Sequence, residues 1–193
     1  MPWEKQFDVD ETLTRAMEAF WARGFDATSM QDLVRCTGVN RASLYATYGD
    51  KRSLFLAALQ QYDQNVRKAM LMQIEHRHPP VQAIRQLFRV FAEQPPVDGV
   101  RRGCLLSNTA LELAAHDEEV RAVVAAGQQD MEAFFRRMVE RGRADGSIPA
   151  AIDPDRAAKG LLAALLGLAV LVRSRPDPVL LAAVADQAVR QLE

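Results

Sequence analysis

The sequence predicts an all-α protein of about nine helices: an N-terminal three-helix helix-turn-helix domain and a C-terminal helical bundle, paired as a homodimer. Three observations predict this. Apolar residues recur at helical spacing along most of the chain, cap residues and Gly or Pro punctuate the periodic runs, and Thr28 to Leu54 reads as two short helices, a tight turn between them, and the start of a third.

The 193 residues are 49% apolar, ample for a buried core, and 25% charged, an ordinary globular fraction. A net charge of −1 excludes a protein that coats nucleic acid indiscriminately but leaves room for a local basic patch. Cys36 and Cys104 show no pairing logic and fit a reducing compartment. The N-terminus shows no secretory signal, and the apolar run Leu161 to Val172 falls short of the roughly 20 residues that span a bilayer. The expectation is a cytoplasmic protein with no membrane association.

Asp8 opens the first helix with Glu11 three residues on, close to a capping box; Leu13, Ala16, Met17 and Phe20 form its apolar face and Gly24 closes it. Trp21 reads as packing rather than a base-stacking platform. Thr28 is read as the cap of the next helix, with Gln31 reaching back, and Met30, Leu33 and Val34 as its inner face beside Cys36. Gly38 ends that helix and Asn40 caps the following one, Arg41 to Tyr48, which stops near Gly49. Leu44 and Tyr48 face inward, leaving Arg41, Ala42, Ser43, Tyr45 and Thr47 outward. Arginine suits guanine or phosphate, and the hydroxyls suit bases or phosphate oxygens. Asp50 caps a third helix whose first turn carries Lys51 and Arg52, cations poorly placed for the macrodipole unless a phosphate lies close; solvated surface charge is the bland alternative.

The order of residues here resembles the TetR-type (TetR/AcrR family) one-component transcriptional regulators. The matching run is Phe20-Trp21, Gly24-Phe25, Thr28, Asp32-Leu33-Val34, Gly38-Val39, Leu44-Tyr45, Tyr48, Lys51 and Leu54-Phe55, about the first third of the chain. The resemblance implies that Tyr45, Tyr48 and Lys51 lie at or near phosphates and that Arg41, Ala42 and Ser43 lie nearest the bases. The DNA-binding set is therefore Thr28, Ser29, Arg41, Ala42, Ser43, Tyr45, Thr47, Tyr48 and Lys51. Many relatives carry a longer basic arm before the first helix; only Met1 to Gln6, with Lys5, stands here, so arm contacts to the minor groove are not expected. Residues 1–52 form the expected DNA-binding domain and 53–193 the effector-binding and dimerisation domain.

The helix from Lys51 continues through Phe55, Leu59, Tyr62, Val66 and Met70 to Glu75, a rod of roughly 37 Å, and Pro79-Pro80 ends it. His76 and His78 could chelate a metal, but at a helix C-terminus they serve the dipole equally well, and no metal site or cofactor is expected. Val81 to Glu93 follows with Ile84, Leu87, Phe88 and Phe91 on one face. The run Gly103-Cys-Leu-Leu-Ser-Asn-Thr-Ala-Leu-Glu-Leu113 resembles one branch of the same regulators, in which the corresponding helix borders the effector cavity. Asp117 caps a long helix whose stripe is Val120, Val124, Gly127, Met131, Phe134 and Met138. The expected effector pocket is Phe88, Phe91, Cys104, Asn108, Leu111, Glu112, Met131, Phe134, Phe135 and Met138.

Asp153-Pro154 and Asp177-Pro178 open the last two helices. The first is apolar all round from Leu161 to Val172 and needs cover beyond its own bundle, so the dimer interface is expected at Ala164, Gly167, Leu168, Leu171, Leu181, Val184 and Ala188. The resulting expectation is a ligand-responsive regulator, a repressor rather than an enzyme, that binds a palindromic double-stranded operator as a dimer and is released by a small-molecule effector. The rival is a thiol enzyme or redox sensor built on Cys104, beside Arg101 and Arg102. No neighbouring histidine, phosphate loop or serine elbow supports catalysis.

Overall fold

The computed structural model describes residues 7–97 and 99–193, which are helical throughout apart from turns and one two-residue bridge between Val97 and Val100. Both the N-terminal arm, with Lys5, and Asp98 lie outside the described residues.

Helix α1 (Val9–Arg23) starts where Asp8 accepts hydrogen bonds from the Asp10 and Glu11 amides and stops at Gly24, whose φ of +89° suits glycine. Glu11 does not reach back to the cap but pairs with Arg15. Helices α2 (Met30–Thr37) and α3 (Arg41–Tyr48) follow, and α4 (Lys51–Tyr62) runs back along α1. Phe20 is the hub of this first core: Phe55 meets it edge-on at 5.0 Å and Phe25 stacks at 6.2 Å. Leu33, Leu44, Leu54 and Ala16 close around them.

The expected rod is continuous but not uniform. After α4 the chain winds as a π-helical segment, Asp63–Lys68, before resuming as α5 (Ala69–Arg77). Periodicity alone cannot foresee this, because one wider turn shifts the apolar stripe by a single residue; π-bulges of this kind gather at functional sites. Helix α6 (Pro80–Ala92) buries Ile84, Leu87, Phe88 and Phe91, α7 (Leu105–Glu112) is short, and α8 (Glu118–Ala144) is the longest element. Helices α9 (Pro154–Ser174) and α10 (Pro178–Arg190) complete the bundle, capped by Asp153 and Asp177 as expected.

Helix α9 is longer than its apolar run: it has 21 residues, and an 18-residue stretch of it has a mean hydropathy of 1.7, enough by length and composition to cross a bilayer. Its Leu161, Leu165, Leu168, Ala169 and Val172 are instead buried against α8, α6 and α10, as in a core helix. Leu181 and Ala188 of α10 are likewise buried within the chain. The expected interface residues Leu168, Leu181 and Ala188 therefore serve the bundle's own core. Ala164, Leu171 and Val184 are half-buried and Gly167 is exposed.

Replacing Phe20 by Ala removes the hub of the N-terminal core and leaves a cavity walled by Phe25 and Phe55. The expected loss is about 3–5 kcal/mol, read from urea unfolding; a loss under about 1 kcal/mol would show that the two rings collapse into the space.

Candidate nucleic-acid interface

Three local devices hold α3 out from the N-terminal core. Gly38 adopts φ +73°, which turns the chain sharply after α2; Val39 is buried as a plug, and Asn40 Oδ1 accepts from the Ser43 amide at 2.9 Å. Leu44 anchors the inner face and is buried. Arg41 and Ala42 are exposed, and Ser43, Tyr45 and Thr47 are half-buried along the outer face. The Arg41 guanidinium lies over the Tyr45 ring, 5.3 Å from its centroid, and Nη2 donates to the Tyr45 hydroxyl at 3.1 Å. The pair is thereby pre-ordered at the first turn of α3, the part of such a helix that enters a major groove.

Several expected contacts sit differently. Thr28 is fully buried, its hydroxyl donating to the Gly24 carbonyl at 2.6 Å, and so cannot touch DNA. The helix begins one residue later than Thr28 suggested: Ser29 is the cap and Asp32, not Gln31, completes the capping box. Hydrogen bonds from Ser29 side chain and backbone hold the Asp32 carboxyl below its usual range. Ser29 is exposed at the start of α2. Tyr48 is half-buried, its hydroxyl hydrogen given to the Val9 carbonyl at 3.1 Å, so only an oxygen lone pair remains for another partner. Burial, with Asp10 nearby, raises its pKa. Lys51 rests its ammonium over the Phe25 ring at 4.2 Å. Arg52 faces away from α3's outer surface altogether, binding Asp117 in a bidentate pair at 2.6 and 2.8 Å and Glu119 at 3.0 Å.

That last contact is one of several that fasten the DNA-reading unit to the bundle. Trp21 Nε1 donates to the Gly103 carbonyl at 3.2 Å, while its ring meets Tyr62 edge-on at 4.8 Å. Arg173 of α9 reaches the Trp21 and Ala22 carbonyls at the end of α1. Glu112, at the end of α7, accepts from the amides of Phe25 and Asp26 at 3.1 and 2.8 Å. The carboxylate expected in the effector pocket is therefore the bolt of an inter-unit joint, and a Cβ on Gly24 would lie 2.8 Å from it. Sequence gave no sign of this, since a polar residue on a short helix points equally to water, ligand or backbone.

The bundle holds a cavity of about 30 Å³, lined by Phe91, Cys104 and Met131 with Arg67, Leu106, Ser107, Gly127 and Gln128, and with Leu162, Leu165, Leu166 and Ala169 from α9. Phe88, Phe134, Phe135 and Met138 are buried in the core and do not line it. Leu111 is 76% exposed, and the Asn108 amide donates to the Arg102 carbonyl, shaping the loop before α7. Cys104 is buried, with the Tyr62 hydroxyl donating to its sulfur at 3.6 Å, an enclosed setting unlike that of an accessible nucleophile.

A capped helix-turn-helix with a short, exposed second helix, carried on a rod into a cavity-bearing helical bundle, defines a one-component DNA-binding regulator. The comparisons agree. Residues 13–58 match the model of bacterial regulatory proteins of the tetR family, and residues 80–188 match a tetracyclin repressor-like C-terminal domain. The chain is 33% identical over 149 residues to the uncharacterised HTH-type transcriptional regulator YezE of Bacillus subtilis, covering 75% of this chain and 74% of that one. It is 27% identical over 170 residues to the HTH-type transcriptional repressor ComR of Escherichia coli, covering 88% and 81%. Among solved structures, a cysteine-substituted TetR family regulator CifR, complexed with a 26-base-pair operator DNA, superposes with a TM-score of 0.85 at 29% identity, over 99% of this chain and 100% of that one. This chain belongs to the TetR family: it is a ligand-responsive DNA-binding transcriptional regulator and not an enzyme.

Two outcomes test the joint. In Glu112→Ala, hydrogen exchange at the Phe25 and Asp26 amides should quicken while amides in the middle of α8 stay protected; unchanged exchange at those two would show that the carboxylate holds nothing. Hydrogen bonds from Arg52, then from the Val120 amide, lower the Asp117 carboxyl to about 2 from an ordinary 3.8. Because the folded pKa is depressed, this stabilisation is complete above the ordinary value and is lost as pH falls from 3.8 through about 2. Asp117→Asn should therefore melt below the native protein at pH 6 and converge with it near pH 2, where a persistent gap would contradict the assignment.

Proposed function

We propose that the protein is a repressor that binds a palindromic operator as a homodimer and is released by a small effector held in the bundle. Residues 1–52 read DNA, and residues 53–193 bind effector and partner, with the rod beginning at Lys51 shared between them. The observation that carries the reading is the pre-ordered Arg41–Tyr45 pair at the exposed start of α3. Arg41, Ala42 and Ser43 meet base edges; Tyr45, Thr47, Ser29 and Lys51 meet phosphates, Lys51 by swinging off Phe25. CifR in complex with operator DNA and the repressor name of ComR support this assignment.

Dimerisation is expected to use the face of α9 that the chain leaves bare, with the neighbouring surface of α10. Ala163, Gly167, Val170 and Ser174 are exposed at helical spacing, and a Cβ on Gly167 would meet nothing within 4 Å, so a partner helix can approach closely. Val170 and Val179 are 42% and 79% exposed. Two such hairpins make a four-helix interface with two-fold symmetry, placing two α3 helices about 34 Å apart, one turn of DNA. The effector acts by its difference in affinity between two spacings, and about 5.5 kcal/mol would carry the dimer from 1:99 to 99:1. Such a protein works in the cytoplasm, with the DNA.

Selection from random DNA should recover a symmetric site. Arg41→Ala should weaken binding to it by about 1–3 kcal/mol with lost base preference at one position per half-site. Recovery of no consensus, or an unchanged affinity, would contradict the reading. Gly167→Arg should halve the mass seen by sedimentation and abolish tight operator binding; a dimer that persists would place the interface elsewhere.

A further inference from the structure

Arg67 is the feature the DNA-reading account leaves unused. It sits inside the π-helical segment, is 2% exposed, and is the largest fully buried side chain of the described residues. Its Nε donates to Asp63 at 2.5 Å and its Nη2 to Asp130 at 2.9 Å, while Nη1 is buried without a partner and Arg67 forms part of the cavity wall. Gly127 lies beside the pair: a Cβ there would clash with Leu106 at 2.5 Å and touch Arg67 Nε at 3.7 Å. A buried donor left unmade is costly, and a donor on a cation more so, which makes Nη1 a place for a ligand oxygen.

Charge decides what kind of oxygen. Arg67 and Lys68 stand against Asp63 and Asp130, with Lys68 within 3.4 Å of both carboxylates, so the cluster is already neutral. A cationic ligand would meet the guanidinium. An anionic one would add an uncompensated negative charge inside walls made of Phe91, Met131, Leu162 and Leu165. A neutral acceptor completes the guanidinium's hydrogen bonding and adds no charge. The space of about 30 Å³ holds little more than two waters, so a ligand of four or five carbons enters as Met131 and the half-buried Leu162 and Leu166 move aside.

We propose that the effector is a small uncharged carbonyl compound whose oxygen accepts a hydrogen bond from Arg67 Nη1 and whose alkyl part lies against α9. This rests on the reading of the cavity as the effector site. It also gives the site a route to the DNA-reading unit. Arg67 and its partner Asp63 are both part of the π turn, and the adjoining Tyr62 touches both Cys104 and Trp21, whose indole is bound to the loop before α7. A ligand that tightens on Nη1 pulls on the rod at its one irregular turn.

Calorimetry on the full-length protein tests it with methyl propyl ketone, butyrate and butylammonium as probes of similar size. The ketone should bind, with the two ions roughly tenfold weaker or worse. Arg67→Lys, which keeps a cation beside Asp63, should weaken the ketone by roughly tenfold or more. Should that variant fail to fold, the infrared carbonyl stretch of ketone bound to the native protein gives the same answer, falling if Nη1 donates to it. Absent ketone binding, preference for butyrate, indifference to Arg67→Lys in a folded protein, or an unshifted stretch would each overturn the proposal. A gel shift separates this from the broader reading. Operator binding without ketone binding leaves the repressor standing and removes this ligand, whereas ketone binding at Arg67 without operator release keeps the site and removes its role as effector.

Discussion

One helical rod has to belong to two cores at once, and the rest of the molecule is arranged around that requirement. Leu54 and Phe55 of α4 complete the core built on Phe20, while Leu71 and Ile74 of α5 are buried in the bundle, with the π turn between them. A rod shared in this way cannot tilt without moving α3 relative to the bundle. The fastenings around it, Trp21 to Gly103, Glu112 to Phe25 and Asp26, and Arg52 to Asp117, keep the two parts from drifting independently. Only a coordinated displacement remains available.

The chemistry of these fastenings differs in a way that matters. Arg52 with Asp117 and Glu119 lies near the surface, where screening leaves it a modest contribution to stability beside its part in orientation. Arg67 with Asp63 is buried, where removing one partner strands the other's charge. Burial works against the Arg67 charge, yet Asp63 and then Asp130 more than offset this and hold the guanidinium protonated. The stiff, permanently charged element thus lies at the cavity, and the adjustable ones lie at the periphery.

Much of this was legible in the sequence, and the residues show why the rest was not. Helix order, the caps at Asp8, Asn40, Asp50, Asp117, Asp153 and Asp177, and the outward set on α3 follow from local rules that act within one turn. Thr28 misled because Thr and Ser both cap well, and the choice of Ser29 depends on the Gly24 carbonyl drawing in the threonine hydroxyl. Glu112 was misplaced, and Arg52 was left open between a phosphate and solvated charge, because their partners lie 86 or 87 and 65 or 67 residues away. The stripe of Phe134 and Met138 looked like a pocket because a core and a pocket have the same composition. Asp63 and Arg67, four apart on an otherwise apolar face, were the one local signal of the buried pair.

The most direct measurement of the central claim is the distance between the two DNA-reading units of a dimer. Spin labels on Glu18→Cys, exposed on α1, in a Cys36→Ser background would report it by pulsed electron resonance. The account predicts one narrow inter-protomer distance on operator DNA and a shifted or broader one off it. No dipolar coupling between protomers, or an identical distribution in both states, would contradict it.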